Sequence, residues 1–161
     1  MLFLNLRLRI LLIKVTKKLI NNNYIISSVE SCTSGLLASY LAKYPGSSNF
    51  FNMGLVLYSN NAKSSILKID LNKIKEFAPV SKEISVLMAK SLANISQSDI
   101  NISTTGLAGP DGDGGIEKIG TVFISICFNN NVITRRFLFS GCRDRIKLLS
   151  CFYALKMIYE L

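Results

Sequence analysis

The chain has 161 residues, 49% of them hydrophobic, and carries 19 Lys and Arg against 10 Asp and Glu, for a formal charge of +9 with no histidine. That length gives one domain a sizeable core and is too short for two ordinary ones. No apolar run approaches the roughly 20 residues of a membrane helix, and four cysteines with no C-x-x-C pair and no histidine beside them argue against zinc.

In chain order, residues 1–15 mix Leu and Ile with Arg7, Arg9 and Lys14 but lack a small-residue cleavage site, so they predict an amphipathic docking helix rather than an export signal. The helical pattern proper covers 8–20 and stops at three asparagines, whose side chains compete for the backbone. A strand over 24–29 then runs through Ser28-Val29-Glu30-Ser31-Cys32-Thr33-Ser34-Gly35 into a helix over 35–44. Such a junction leaves free N–H groups and a positive dipole end, so its hydroxyls serve either to cap the helix or as a nucleophile. Pro45-Gly46 ends that helix, and 50–58 reads as a buried strand with Gly54 its weak point, delivering Tyr58 to its end.

Ser59 or Asn60 caps a short helix that carries Lys63 about one turn inside it. Asp70 caps another reaching Phe77. Ser81 opens a longer one with Ile84, Leu87, Met88, Leu92 and Ile95 at helical spacing. A strand over 100–104 enters a loop with five glycines between Gly106 and Gly115, where positive φ or a close ligand is expected. It has no G-K-[ST] ending and a strand follows it, which sets aside the P-loop and dinucleotide fingerprints; Asp111 and Asp113 do not complete a calcium loop. A hairpin over 120–139 and a helix running to the end complete the chain.

This alternation predicts a three-layer α/β/α domain with a mixed, mostly parallel sheet. Its site should gather at strand ends: Glu30 to Gly35, Tyr58 to Lys63, Thr104 to Gly115 and the start of the last helix. Without histidine, any nucleophile must be activated by Lys, Tyr or a carboxylate. Ser31, Tyr58, Lys63 and Arg143 also have plain structural readings, as helix cap, core aromatic, surface lysine and solvated charge.

Glu30-Ser31-Cys32-Thr33, Gly35-Leu36-Leu37, Pro45-Gly46-Ser47-Ser48, Tyr58-Ser59-Asn60, Lys63, Val80-Ser81, Thr105-Gly106-Leu107-Ala108-Gly109-Pro110, Lys118 and Gly120-Thr121-Val122 stand in one order that closely resembles the CinA C-terminal domain family. The resemblance covers 11–161, leaving 1–10 as an N-terminal extension. It implies a commonly homodimeric amidohydrolase with no required metal; no cofactor is expected, and the unpaired cysteines fit a reducing cytoplasm. Such an enzyme converts nicotinamide mononucleotide to nicotinate mononucleotide and ammonia, a step in pyridine-nucleotide recycling. Carried onto this sequence, Ser31 is the nucleophile and Lys63 its base, with Tyr58 assisting. Glu30, Thr33, Gly35, Ser59, Asn60, Thr105, Gly106, Gly109 and Arg143 are expected around the substrate, and N–H groups at the start of the Gly35 helix or in the glycine loop are expected to hold the oxyanion.

The chain departs from the family pattern at Ser34, Asp111 and Asp113, usually glycine, at Ile119, usually proline, and at Cys142, usually aspartate. These departures motivate a second reading, a nucleotide binder that no longer turns its ligand over. The positive charge motivates a weaker third, a nucleic-acid or partner-binding module, which steep salt dependence would reveal.

Overall fold

A computed structural model describes residues 2–114 and 117–161; Met1 of the extension and Gly115 of the glycine loop lie outside the described residues. The elements are α1 (Leu2–Asn21), β1 (Ile26–Glu30), α2 (Leu36–Leu41), β2 (Phe51–Val56), α3 (Asn60–Leu67), α4 (Leu71–Phe77), α5 (Lys82–Ser96), β3 (Ile100–Gly106), β4 (Thr121–Phe128), β5 (Asn131–Leu138) and α6 (Arg143–Tyr159). The first helix begins at Leu2, well before residue 8, so the expected boundary of the extension falls inside one continuous helix.

The sheet order is β2-β1-β3-β4-β5. β1 lies parallel to both β2 and β3, whereas β4 is antiparallel to β3 and to β5, so β4 alone opposes the other four strands. Alternation along each strand sends side chains to opposite faces. Ile26, Ile100, Ile102, Val122, Ile124 and Ile126 meet the layer of α1, α2 and α6. Val29 joins Leu67, Ile74, Ile84, Met88 and Leu92 on the side of α3, α4 and α5, which completes the three-layer architecture.

The local signals explain several helix starts. The Ser59 hydroxyl accepts from Ala62 N–H, the Asp70 carboxylate from Asn72 N–H, and the Ser81 hydroxyl from Ile84 N–H. Gly54 has a packing reason: a Cβ there would stand 2.8 Å from Cβ of Ala38, so its absence lets α2 lie close on the sheet.

The position of the site follows from the connections. β1, β2 and β3 are parallel and end on the same edge of the sheet. The chain leaves β1 into α2 on one face and leaves β2 into α3 on the other. A crevice opens beside the carboxyl end of β1, where the two connections diverge.

Candidate active site

The turn after β1 is held by Glu30. Its carboxylate is buried and accepts from three N–H groups at the start of α2: Gly35 at 2.9 Å, Leu37 at 3.1 Å and Ala38 at 2.7 Å. The helix N-terminus is therefore capped by a carboxylate from the strand, and its dipole favours that charge. Glu30 and Gly35 thus build the turn, and the N–H groups of Gly35, Leu37 and Ala38 are already taken by the carboxylate. Glu30→Gln puts an amide N–H2 where an acceptor is needed, and should cost roughly 3 kcal/mol in a urea unfolding titration.

With Glu30 in that role, Ser31 is not the cap. Its backbone N–H donates to the Thr104 carbonyl at 2.9 Å, and its hydroxyl has no hydrogen-bond partner among the described residues. Thr33 is fully buried, its hydroxyl pairs with that of Thr104 at 2.7 Å, and it does not line the crevice. Ser34 is exposed and adopts φ +53°, a conformation that glycine accepts more readily. Ser34→Gly should leave the crevice unchanged and raise stability by up to about 1 kcal/mol in the same titration.

The crevice is a cavity of about 360 Å³, within the usual size range of ligand sites. Ser31, Lys63, Tyr58, Ser59, Asn60, Thr105, Gly106 and Arg143 all line it, which brings together eight of the residues selected from sequence. Cys32, Pro79, Val80 and Ala108 line it too. Of these, Pro79 was invisible in the sequence as a site residue; its carbonyl accepts from the Thr105 hydroxyl at 2.9 Å, which ties the loop before α5 to the end of β3.

Lys63 is the most unusual group in the crevice. It is only 2% exposed, and while its backbone N–H donates to the Ser59 carbonyl at 3.1 Å, its ammonium has neither a hydrogen bond nor an ion pair among the described residues. Burial pushes its pKa below the ordinary value of 10.5, the effect expected when an ammonium loses water and gains no carboxylate. Burial acts the other way on Cys32, whose thiol is pushed up to about 12, with the Glu30 charge adding to the rise. The cysteine beside Ser31 therefore stays a neutral thiol, while the lysine on the same cavity is biased toward a free amine.

Arg143, the first residue of α6, spans the cavity mouth. One terminal nitrogen donates to the Gly109 carbonyl at 2.6 Å and the other to the Tyr58 hydroxyl at 2.9 Å. Tyr58 is 60% exposed, and among the described residues its hydroxyl accepts from Arg143 and makes no hydrogen bond to Ser31 or Lys63. It stands at the rim with Arg143, its hydroxyl proton still available.

The glycine loop meets the site in part. Gly106 lines the cavity, but it is glycine because β4 lies against it: a Cβ would stand 2.5 Å from the Thr121 carbonyl oxygen. Gly109 contributes its carbonyl to Arg143. Asp111 and Asp113 do not line the cavity; Asp113 accepts from Glu117 N–H at 3.1 Å. No cluster of potential metal ligands occurs among the described residues.

A serine and a buried, unpaired lysine at the carboxyl edge of a mixed α/β sheet form one crevice, bridged by an arginine. The profile of the CinA C-terminal domain matches residues 10–161, and the chain belongs to that family. It is 39% identical over 132 residues to a CinA-like protein of Geotalea uraniireducens, covering 82% of this chain and 31% of the relative. The crystal structure of competence damage-inducible protein A from Klebsiella pneumoniae superposes with a TM-score of 0.92 at 27% identity, covering 95% of each chain. A competence or damage-inducible protein from Enterobacter asburiae gives 0.91 at 30% identity, covering 95% of this chain and 96% of that one. The chain spans about a third of the length of the curated relatives it matches.

Proposed function

We propose that this protein hydrolyses the carboxamide of nicotinamide mononucleotide to give nicotinate mononucleotide and ammonia, with Ser31 as nucleophile and Lys63 as its base. The observation that carries the reading is a serine hydroxyl with no hydrogen-bond partner among the described residues, on the same cavity as a buried lysine with a lowered pKa. A neutral Lys63 amine takes the Ser31 proton as the hydroxyl oxygen attacks the carboxamide carbon, and the resulting ammonium then protonates the departing amide nitrogen. Ammonia leaves. Water next attacks the Ser31 ester, giving its proton to Lys63, and the resulting ammonium returns a proton to the departing Ser31 oxygen as the nicotinate product is released.

The oxyanion falls to N–H groups that Glu30 does not consume. Those of Cys32 and Thr33, directly after Ser31, have no partner in another residue among the described residues, and the residue after a nucleophile is a recurrent oxyanion donor. Arg143, with Asn60, Ser59 and Thr105 beside it, supplies positive charge and polar groups for the phosphorylated ribose. Ser34, Asp111 and Asp113 lie outside the cavity lining, so they give the inactive-binder reading little support.

The test is ammonia release from nicotinamide mononucleotide by the purified chain. Sustained release is expected. Binding of the nucleotide, seen as a raised melting temperature, without release would leave the inactive binder; neither release nor a thermal shift would remove the substrate assignment altogether.

A further inference from the structure

The outer face of α1 takes no part in the site and is not needed by the fold. Leu8, Leu12, Val15 and Leu19 are buried in the core layer shared with α2 and α6. Away from them, Phe3, Leu6, Ile10, Ile13 and Ile20 are exposed, Phe3 by 83%. Their spacings of three, four, three and seven residues place all five along one line of the helix. A surface helix of a folded domain ordinarily needs one apolar stripe, and α1 carries two.

The second stripe is bordered by cations. Arg7 and Lys14 follow one side of it, Arg9 the other, and Lys17 falls in the gap between Ile13 and Ile20; the helix contains no acidic residue. Grooves flank it on either side, both with apolar and cationic lining and one with a single, already paired carboxylate. One of about 490 Å³ sets Leu6 and Arg9 against Tyr40 and Lys43. The other, of about 430 Å³, sets Ile10 and Lys14 against Phe152, Tyr159, Lys156 and Glu160, whose carboxylate is paired with Arg135 and Lys156.

Charge decides between occupants. A second copy would bring an equally basic α1 against this one with no carboxylate on either helix to meet Arg7, Arg9, Lys14 or Lys17. An anionic bilayer suits both halves of the face: apolar side chains enter the acyl boundary while Lys and Arg stems reach back to headgroup phosphates. No described helix is long and apolar enough to cross a membrane, which is consistent with one that lies in the surface. Phe3, Leu6, Arg7 and Arg9 fall before residue 10, where the family match begins.

We propose that α1 docks this protein flat on an anionic phospholipid surface, inserting Phe3, Leu6, Ile10 and Ile13 with Arg7, Arg9, Lys14 and Lys17 on the headgroups. The test is flotation of the whole chain with vesicles of equal parts phosphatidylglycerol and phosphatidylcholine, beside vesicles of phosphatidylcholine alone. Binding to the mixed vesicles only, weakening as salt rises, is expected. Arg7→Ala and Lys14→Ala should each lower affinity about fivefold, and Ile10→Ser with Ile13→Ser at least about tenfold. Because these positions are exposed and distant from Ser31, melting temperature and turnover should not change. Failure to float with the mixed vesicles overturns the proposal, as does flotation indifferent to the paired isoleucine change. A solution mass of two chains that falls to one in that same variant overturns it as well, since a second copy then covers the face.

Discussion

Lys63→Met is expected to reduce ammonia release by about 10²- to 10⁴-fold and at the same time to make the protein more stable. Both effects have one cause. The stem of the lysine is buried, and its ammonium, with no carboxylate or hydrogen-bond partner among the described residues, has lost part of its water at the cavity wall, so the fold carries a partly desolvated cation. Methionine fills much the same space without that cost, and the gain should be on the order of 1 kcal/mol, or about 2–4 °C in melting temperature for a chain of this size.

The sign with pH follows from linkage. The unfolded chain holds Lys63 at its ordinary value of 10.5 and the native chain holds it lower, so between those two values the unfolded state binds more protons and native stability rises with pH. Below the native value both states are protonated, and the burial cost is present in full. The advantage of Lys63→Met should thus be largest at neutral or acidic pH and fade toward pH 10.5. Turnover by the wild-type chain should rise with pH along a limb centred below that of free lysine, and the limb should vanish in the variant. A variant less stable than wild type at neutral pH, or one retaining the limb, would remove Lys63 from the base role.

What the sequence revealed and what it hid divide by the range of the interaction. Asp70, Ser59 and Ser81 act on N–H groups two or three residues away, and each was readable as a cap. Glu30 acts five, seven and eight residues ahead, through a strand-to-helix turn that must already exist, so Ser31 and Thr33 looked equally suited to cap α2. Gly106 carried a visible signal with a hidden cause: glycine announced close approach, but the partner is β4 rather than a ligand. The pairing of Tyr58 with Arg143, 85 residues apart, has no local signature. Neither does the burial of Lys63, because an isolated lysine near a helix start ordinarily belongs to the surface. The order of short motifs identified which residues meet in the crevice, while their division into turn-builders, rim and candidate chemistry needed the fold.

Ser31→Ala is expected to lower turnover by about 10⁴- to 10⁶-fold while leaving the fold and nucleotide binding nearly intact. The hydroxyl makes no hydrogen bond among the described residues, so removing it leaves none of their buried groups unsatisfied and opens little space. Melting temperature should stay within about 1 °C of wild type, and nicotinamide mononucleotide should still raise it. Cys32, the next residue and also on the cavity, is the group most able to obscure the result by attacking in place of Ser31. Its thiol is held near 12, so at neutral pH only about one molecule in 10⁵ carries the thiolate that attack requires. A Ser31→Ala, Cys32→Ala double variant should therefore be no slower than the single one. Turnover within tenfold of wild type in the single variant would end the assignment of Ser31. Turnover lost only in the double variant would transfer the nucleophile to Cys32, and would mean that the substrate or a movement of Lys63 lowers that thiol by several units.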